Sequence, residues 1–372
     1  MRRYFVQTIA IAALFLCVHF AVVIFVQAPV ESAYWVRELM IVKKMLARSE
    51  PSPRLLFLGG SSTLFGIDAA QVQAETGMPS LNLGLQAGLA LEEILAFGRD
   101  VARSGDTVIM PLEWGFYGCA KMPWNDWQLR NAVAWDRPYF ESLPLSERIN
   151  AVFTSGDALL MPEILGSKLR ATFMPGSVAR RLSALAAPGI VEQRFRSGAF
   201  RTSAFAYSAY NLDDHGDMLD NEGTHFAGVG VAVEHPDSIC PRVLPILKAF
   251  ADEMRARNVR VLIAHGPYLI DGPIASDWTA AEQRFQHDLA RINLSTLDQR
   301  DQLFMPRSYF FNTGAHLNVE GRRHWTSIIV ADLRKARIVR ARVAAARVKS
   351  DAASSHFDEA FPPTAVASRL VR

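Results

Sequence analysis

Cysteine is scarce in this chain: there are three in 372 residues, and Cys17 lies inside an apolar N-terminal run. A disulfide framework is therefore excluded, and Cys119 and Cys240 are left either to form one bridge or to remain two buried thiols. An excess of one charge is lacking too. Lys and Arg number 40 against 37 Asp and Glu, a net +3, and no lysine-rich, aromatic-interleaved patch exists, so nucleic acid is set aside as a partner. The turn Gly59-Gly60-Ser61-Ser62-Thr63 contains no lysine to reach phosphates, which excludes a P-loop. Thr63 stands where a Gly-x-Ser-x-Gly nucleophile elbow needs its last glycine. No internal repeat is evident.

What is abundant is apolar sequence. Arg2 and Arg3 precede a run from Ile9 to Val26 interrupted only by His19, long enough at about 18–20 residues to span a hydrocarbon core of about 30 Å. A signal peptide with a cleavage site at Val26-Gln27-Ala28 is the competing reading. The run exceeds a usual signal core and Pro29 disfavours cleavage, so the expectation is a retained single-pass anchor with its N-terminus cytoplasmic.

Downstream, Trp35 to Arg48 has helical spacing and predicts a juxtamembrane helix, followed by a linker through Pro51 and Pro53. Strands are predicted at Arg54–Leu58, Ser80–Leu83 and Thr107–Leu112, with helices at Ile67–Thr76 and Leu89–Arg103 between them. That alternation predicts a parallel, doubly wound sheet. It lapses after Glu113 and returns with a helix at Val243–Arg257, a strand at Val259–Ala264, and helices at Ala280–Ile292 and Gly321–Arg334. Residues of about 115–241 therefore read as an insertion, either a cover over the mouth of the sheet or additional core. The expected partition is an anchor (1–30), a juxtamembrane helix and linker (31–53), an α/β domain (54–334), and a basic helix with a disordered tail (335–372). Arg337, Arg340, Arg342 and Arg347 make that last helix a candidate for a membrane surface or an anionic polymer.

The chemistry-bearing residues lie about 250 positions apart. Leu55 to Asp68, LLFLGGSSTLFGID, is a buried strand ending in a tight turn that carries Ser61 and Ser62. A hydroxyl at the carboxyl end of a parallel strand is where open α/β sheets do chemistry. It needs a base and donors for an oxyanion. Gly60 and the second glycine turn, Asn82 to Gly88, offer backbone N–H groups, and His316 in FFNTGAHLNVEG offers the base. His265, after a later strand, reads either as a substrate contact at the Ser61 end of the sheet, if that strand is parallel to the first, or as a satisfied core histidine. Asp213, Asp214, His215, Asp217, Asp220, Glu222 and His225 have no fixed ligand spacing, turn chemistry accounts for them, and no metal is expected.

In this order the segments resemble the SGNH (GDSL-like) hydrolases, especially the membrane-anchored branch linked to polysaccharide O-acetylation, such as the alginate O-acetylation and DltD-like proteins. FLGGSSTLFGID matches the first family block, with Ser61 as nucleophile. His316-Leu317-Asn318 and Gly321 match the last, and NLGLQAG takes the place of the second, with Gly88 or Ala87 as oxyanion donor. The resemblance covers about residues 54–112 and 243–330 and implies a three-layer α/β/α parallel sheet of flavodoxin-like type. Two positions depart from the pattern. Thr313, with Asn312 beside it, stands where the family has its acid, and Glu113 follows the third strand where the family has Gly-x-Asn-Asp. Glu113 reads either as lining the site or as a capping acid.

The resemblance implies a serine acyltransferase or esterase acting on an extracytoplasmic polysaccharide. Its catalytic residues would be Ser61, His316 and Thr313, with Gly60, Ser62, Asn82, Gly88, Glu113 and Asn312 around the oxyanion and substrate. It implies no cofactor, a polytopic membrane O-acyltransferase as partner, and a place in the cytoplasmic membrane facing the periplasm. The alternatives are a non-catalytic binding or assembly subunit, favoured by the missing acid, and a plain lipase-like esterase.

Overall fold

Five consecutive buried residues, Leu55–Gly59, form β1, the pattern of a strand covered on both faces. The computed structural model describes residues 2–26, 28–118, 126–154, 160–174, 187–228, 238–269, 278–297 and 304–339. Before β1 come α1 (Arg2–Phe25) and α2 (Tyr34–Ser49). After it come α3 (Ser61–Gly66), α4 (Ala69–Thr76), β2 (Ser80–Gly84), α5 (Leu91–Val101) and β3 (Thr107–Leu112). The inserted region holds α6 (Asp126–Ala134), α7 (Arg137–Ser142), α8 (Leu145–Thr154), α9 (Met161–Phe173) and α10 (Pro188–Ser197). The sheet resumes with α11 (Val243–Ala256) and β4 (Arg260–His265). Then follow β5 (Tyr268–Leu269), α12 (Trp278–Arg291), β6 (Phe304–Met305), β7 (Phe310–Thr313), β8 (His316–Leu317) and α13 (Val319–Lys335).

The chain is an α/β protein whose main sheet has four parallel strands in the order β2-β1-β3-β4. Ser295 and Leu297 add one further parallel step by bonding both backbone groups of Ile263. Parallel crossovers are right-handed, so reversing direction at β1 sends the helices to opposite faces. The packing agrees, with α13 against α3 and α4 in one group and α2, α11 and β1 around α5 in the other. The carboxyl ends of β1 and β3 flank the point of reversal, where open sheets bind ligands.

The helix expected at the membrane junction belongs to this domain. Along α2, Val36, Leu39, Val42, Lys43 and Leu46 are all buried. Lys43 reaches the Asn82 carbonyl at 2.8 Å, and burial lowers its pKa to about 7 against the opposing pull of Asp217 and Asp213. The domain boundary expected at residue 54 is thus misplaced, because α2 supplies a layer helix rather than a spacer. The linker ends on a second buried charge. Arg54 is fully buried, and its guanidinium meets the Asp106 carboxylate at 2.5 Å while the Arg54 N–H donates to the same carboxylate at 3.0 Å. Asp106→Ala leaves that guanidinium uncompensated and is expected to lower unfolding stability by about 3–5 kcal/mol, read by urea denaturation.

α1 is long and apolar enough to cross a membrane, with 23 residues from Arg3 to Phe25 at a mean hydropathy of 2.7. Its last turns join a second core with the insertion, where Val23 and Ile24 pack with Leu129, Val133, Phe140, Val152 and Ile164. Arg137 caps the helix by donating to the Val23 carbonyl at 3.0 Å and to that of Ile24. The first part of the insertion is therefore extra core built on the last turns of α1. A later stretch reaches the sheet mouth with Phe205 and Tyr207. Cys240 is in a disulfide and Cys17 is free, while Cys119 lies outside the described residues, as do Arg340, Arg342, Arg347 and the tail.

Candidate active site

The turn after β1 is shaped by what presses on it. A Cβ at Gly59 would lie 2.1 Å from Thr63 Oγ1 and 3.1 Å from the Pro111 carbonyl, so that position requires glycine, while one at Gly60 would displace the Glu113 carboxyl, 2.6 Å away. Ser61 then opens α3 at once, an element absent from the predicted pattern. Gly84 lets α3 sit down on β2, since a Cβ there would lie 2.2 Å from the Leu64 nitrogen. Ser61 is half-buried, and its hydroxyl has no hydrogen-bond partner among the described residues.

His316 arrives from the other end of the chain. β7 and β8 form a hairpin in which Thr313 is the register partner of His316, and the following helix is fixed by the Asn318 side chain accepting from the Gly321 N–H at 2.9 Å. Gly321 is required because a Cβ would meet the Tyr309 carbonyl at 2.4 Å. The imidazole stacks on Phe65 at 4.1 Å between centroids and 12° between planes. Phe65 lies one helical turn after Ser61 on the same face of α3, which brings His316 to the serine's side of the helix. No hydrogen bond joins the two, and such contacts commonly tighten only with substrate bound.

The acid position resolves in favour of Asn312. His316 Nδ1 lies 2.9 Å from Asn312 Oδ1, while Asn312 Nδ2 donates to the Tyr207 hydroxyl at 2.9 Å. The amide is thereby oriented: its oxygen accepts from Nδ1–H, which leaves Nε2 as the unprotonated nitrogen. Thr313 Oγ1 instead accepts from the Ala315 and His316 amides at 3.2 and 3.1 Å and closes the hairpin, so it does not orient the ring. Burial lowers the His316 pKa to about 4, which keeps the imidazole neutral and available as a base.

Glu113 lines the site rather than capping the surface. Its Oε1 accepts from the Ser62 N–H at 2.8 Å, and its Oε2 is enclosed without a partner. Burial pushes the carboxyl up, and the opposing pull of the Ser62 and Gly60 amides is smaller. The raised pKa favours the neutral carboxyl, which still accepts from the Ser62 N–H through Oε1 and so holds the turn that carries Ser61, a role that an amide reproduces. Glu113→Gln is then expected to preserve activity while Glu113→Ala loses about 10²-fold, the scale of a catalytic group misplaced by about 1 Å. An ionised carboxylate in that role predicts equal losses in both variants, and kcat comparison separates the two.

The remaining expected residues divide. The Ser62 hydroxyl is buried between Gly266 and the Glu113 carboxyl, without a well-formed hydrogen bond. Asn82 is fully buried with its amide committed to the fold: Nδ2 donates to the carbonyls of Thr63, Leu64 and Ile67 at 3.1–3.2 Å, and Oδ1 accepts from the Gly84 N–H at 2.9 Å. It ends α3 and offers nothing to a ligand. Gly88 is buried in the turn after β2; its neighbour Ala87 lines, with Glu113, Phe116, Glu147, Asn150 and Arg242, a cavity of about 500 Å³. The acids at 213–217 serve turns, with Asp213 accepting from the His215 and Asp217 amides at 2.9 Å and Asp217 capping α4 through the Ala69 N–H at 2.8 Å. His265 pairs with the buried Glu282 at 3.2 Å beneath Trp114. Sequence reasoning missed Tyr207, whose place over Asn312 carries no local signal.

No family model, curated protein or solved structure matches the chain.

Proposed function

We propose that this protein is a membrane-anchored, SGNH-like serine acyltransferase or esterase that works on the extracytoplasmic side of the cytoplasmic membrane in O-acylation of a polysaccharide. The observation that carries the reading is the Asn312 bond to Nδ1, which leaves Nε2 as the unprotonated nitrogen of a ring stacked on Phe65, one helical turn from Ser61. In this mechanism Ser61 Oγ attacks an acyl carbonyl and its proton passes to His316 Nε2. The tetrahedral intermediate expels the donor alcohol or thiol, which takes that proton. A sugar hydroxyl, or water in the hydrolytic case, then attacks the Ser61 ester with Nε2 again as base. The donor for the oxyanion is the Ser61 N–H at the start of α3, in a turn that Glu113 holds by accepting from the Ser62 N–H. No cofactor enters these steps. The partner is a polytopic membrane O-acyltransferase that supplies acyl groups across the bilayer.

A second reading, a binding or assembly subunit without turnover, is favoured by one observation: the Ser62 N–H, a natural oxyanion donor, is already bonded to Glu113. A fluorophosphonate probe decides between them. The acyltransferase reading requires covalent labelling that maps to Ser61; an unlabelled protein, folded and in the membrane, leaves the binding subunit.

A further inference from the structure

Two insertion helices present exposed apolar stripes that nothing among the described residues covers. On α8, Leu145, Ile149 and Phe153 are exposed at four-residue spacing, and on α9 Leu165, Leu169 and Phe173 repeat the pattern, with Phe173 77% exposed. Four-residue spacing keeps each set on one helix face. Their opposite faces are satisfied, since Ala151, Val152, Leu160 and Ile164 pack into the core that also holds Val23 and Ile24 of α1. These are thus amphipathic helices with the wrong side toward water, on a scale that isolated surface leucines do not reach.

Their position relative to α1 says what covers them. The Phe153 ring meets Phe20 at 4.8 Å. A span of 23 residues is about 35 Å long at about 1.5 Å per residue, against a hydrocarbon layer of about 30 Å. Phe20 lies five residues inside the end of α1 at Phe25, about 7.5 Å along the axis. Little length is in excess, so the level of Phe20 falls within the apolar layer, and Phe153 lies beside it. α9 is held at the adjoining level, with Arg170 bonded to Glu31 at 2.8 Å just past the end of α1. Lys168 and Arg170 are exposed beside its stripe, and Trp127 is 40% exposed on the neighbouring α6, the residue types that favour a headgroup boundary.

We propose that α8 and α9 lie in the bilayer interface, with Leu145, Ile149, Phe153, Leu165, Leu169 and Phe173 immersed among acyl chains, so that the insertion is a monotopic platform fused to the anchor. The inference rests on α1 spanning the membrane and is independent of the acyl-transfer reading. Because α8 also contributes Glu147 and Asn150 to the cavity beside Glu113, the platform makes one wall of that cavity a membrane-seated helix.

The test uses the full chain with Cys17→Ser and one added cysteine at a time, Phe153→Cys or Leu169→Cys on the stripes and Arg323→Cys on α13 as the reference, each carrying an environment-sensitive nitrobenzoxadiazole label. The proteins are reconstituted in phosphatidylcholine–phosphatidylglycerol vesicles with and without lipids bearing a doxyl group near the headgroup. The platform requires several-fold stronger quenching by doxyl lipid at 153 and 169 than at 323, together with loss of quenching by aqueous iodide. Ile149→Cys and Leu165→Cys repeat the measurement where one label disturbs its helix. Stripe labels as open to iodide as the reference overturn the proposal, including the case in which a second membrane protein, rather than lipid, covers these faces in the cell.

Discussion

Ser61→Ala is expected to abolish acyl transfer, with a loss of about 10⁴-fold or more, while expression, folding and membrane association stay unchanged. The size follows from the step removed: without the hydroxyl no covalent intermediate forms, and loss of a serine nucleophile from an established triad costs about 10⁶. The lower bound reflects the neutral Asn312 in place of a carboxylate, because a slower parent has less to lose. Folding is spared because Ser61 is half-buried with no hydrogen bond from its hydroxyl, so alanine leaves no stranded partner. Ser62→Ala is the informative contrast. That hydroxyl is buried beside the Glu113 carboxyl without a well-formed hydrogen bond, so its removal is near neutral for stability and mild for activity, provided the Ser62 backbone keeps its bond to Glu113. Rates of acyl release from a chromogenic ester, measured beside circular dichroism, check both variants. Turnover that survives Ser61→Ala removes the serine mechanism.

The elements of the sheet were legible because their signals are local. β1, β2 and β3 are short apolar runs bounded by Gly, Pro or Asp, and the helices between them carry 3.6-residue spacing. The turn at Gly59-Gly60 was legible for the same reason. Side-chain fates were not. Asn82 sits in a glycine-rich segment and resembles a donor to substrate, yet its amide is consumed by three carbonyls near the end of α3, a contact that exists only once β2 lies beside that helix. Thr313 occupies the right count before His316, but counting assumes an acid that reaches the ring, whereas the hairpin turns Thr313 Oγ1 onto backbone amides and leaves the ring to Asn312. For α2 a signal was present and misread. Lys43 falls in the apolar phase, four residues after Leu39 and three before Leu46, which marks a buried lysine rather than a solvated face.

Asn312→Asp is expected to raise activity, in the opposite direction to most substitutions in a site of this kind. The cause lies in the charge that His316 must carry when it takes the Ser61 proton. Burial holds its pKa at about 4, some 2.5 units under the ordinary 6.5, which amounts to roughly 3 kcal/mol against the imidazolium. The Asn312 oxygen fixes the tautomer but brings no negative charge to offset that cost. A carboxylate at the same 2.9 Å from Nδ1 would stabilise the cation, and Tyr207 can rotate its hydroxyl to donate to it. The gain is bounded above by about 10⁴-fold, the loss when a triad aspartate becomes asparagine, and a value near 10²-fold corresponds to recovering most of the roughly 3 kcal/mol. The pH profile gives an independent reading. With Asn312 the neutral base persists until pH falls to about 4, so the acid limb of kcat/KM lies there. With aspartate the folded-state pKa rises, the imidazole protonates earlier on acidification, and the limb moves up toward neutrality. Thr313→Asp places a carboxylate where the structure points no side chain at the ring, so rate and profile should both stay at parental values. A limb that does not move in Asn312→Asp, with the variant folded, means that His316 is not the base.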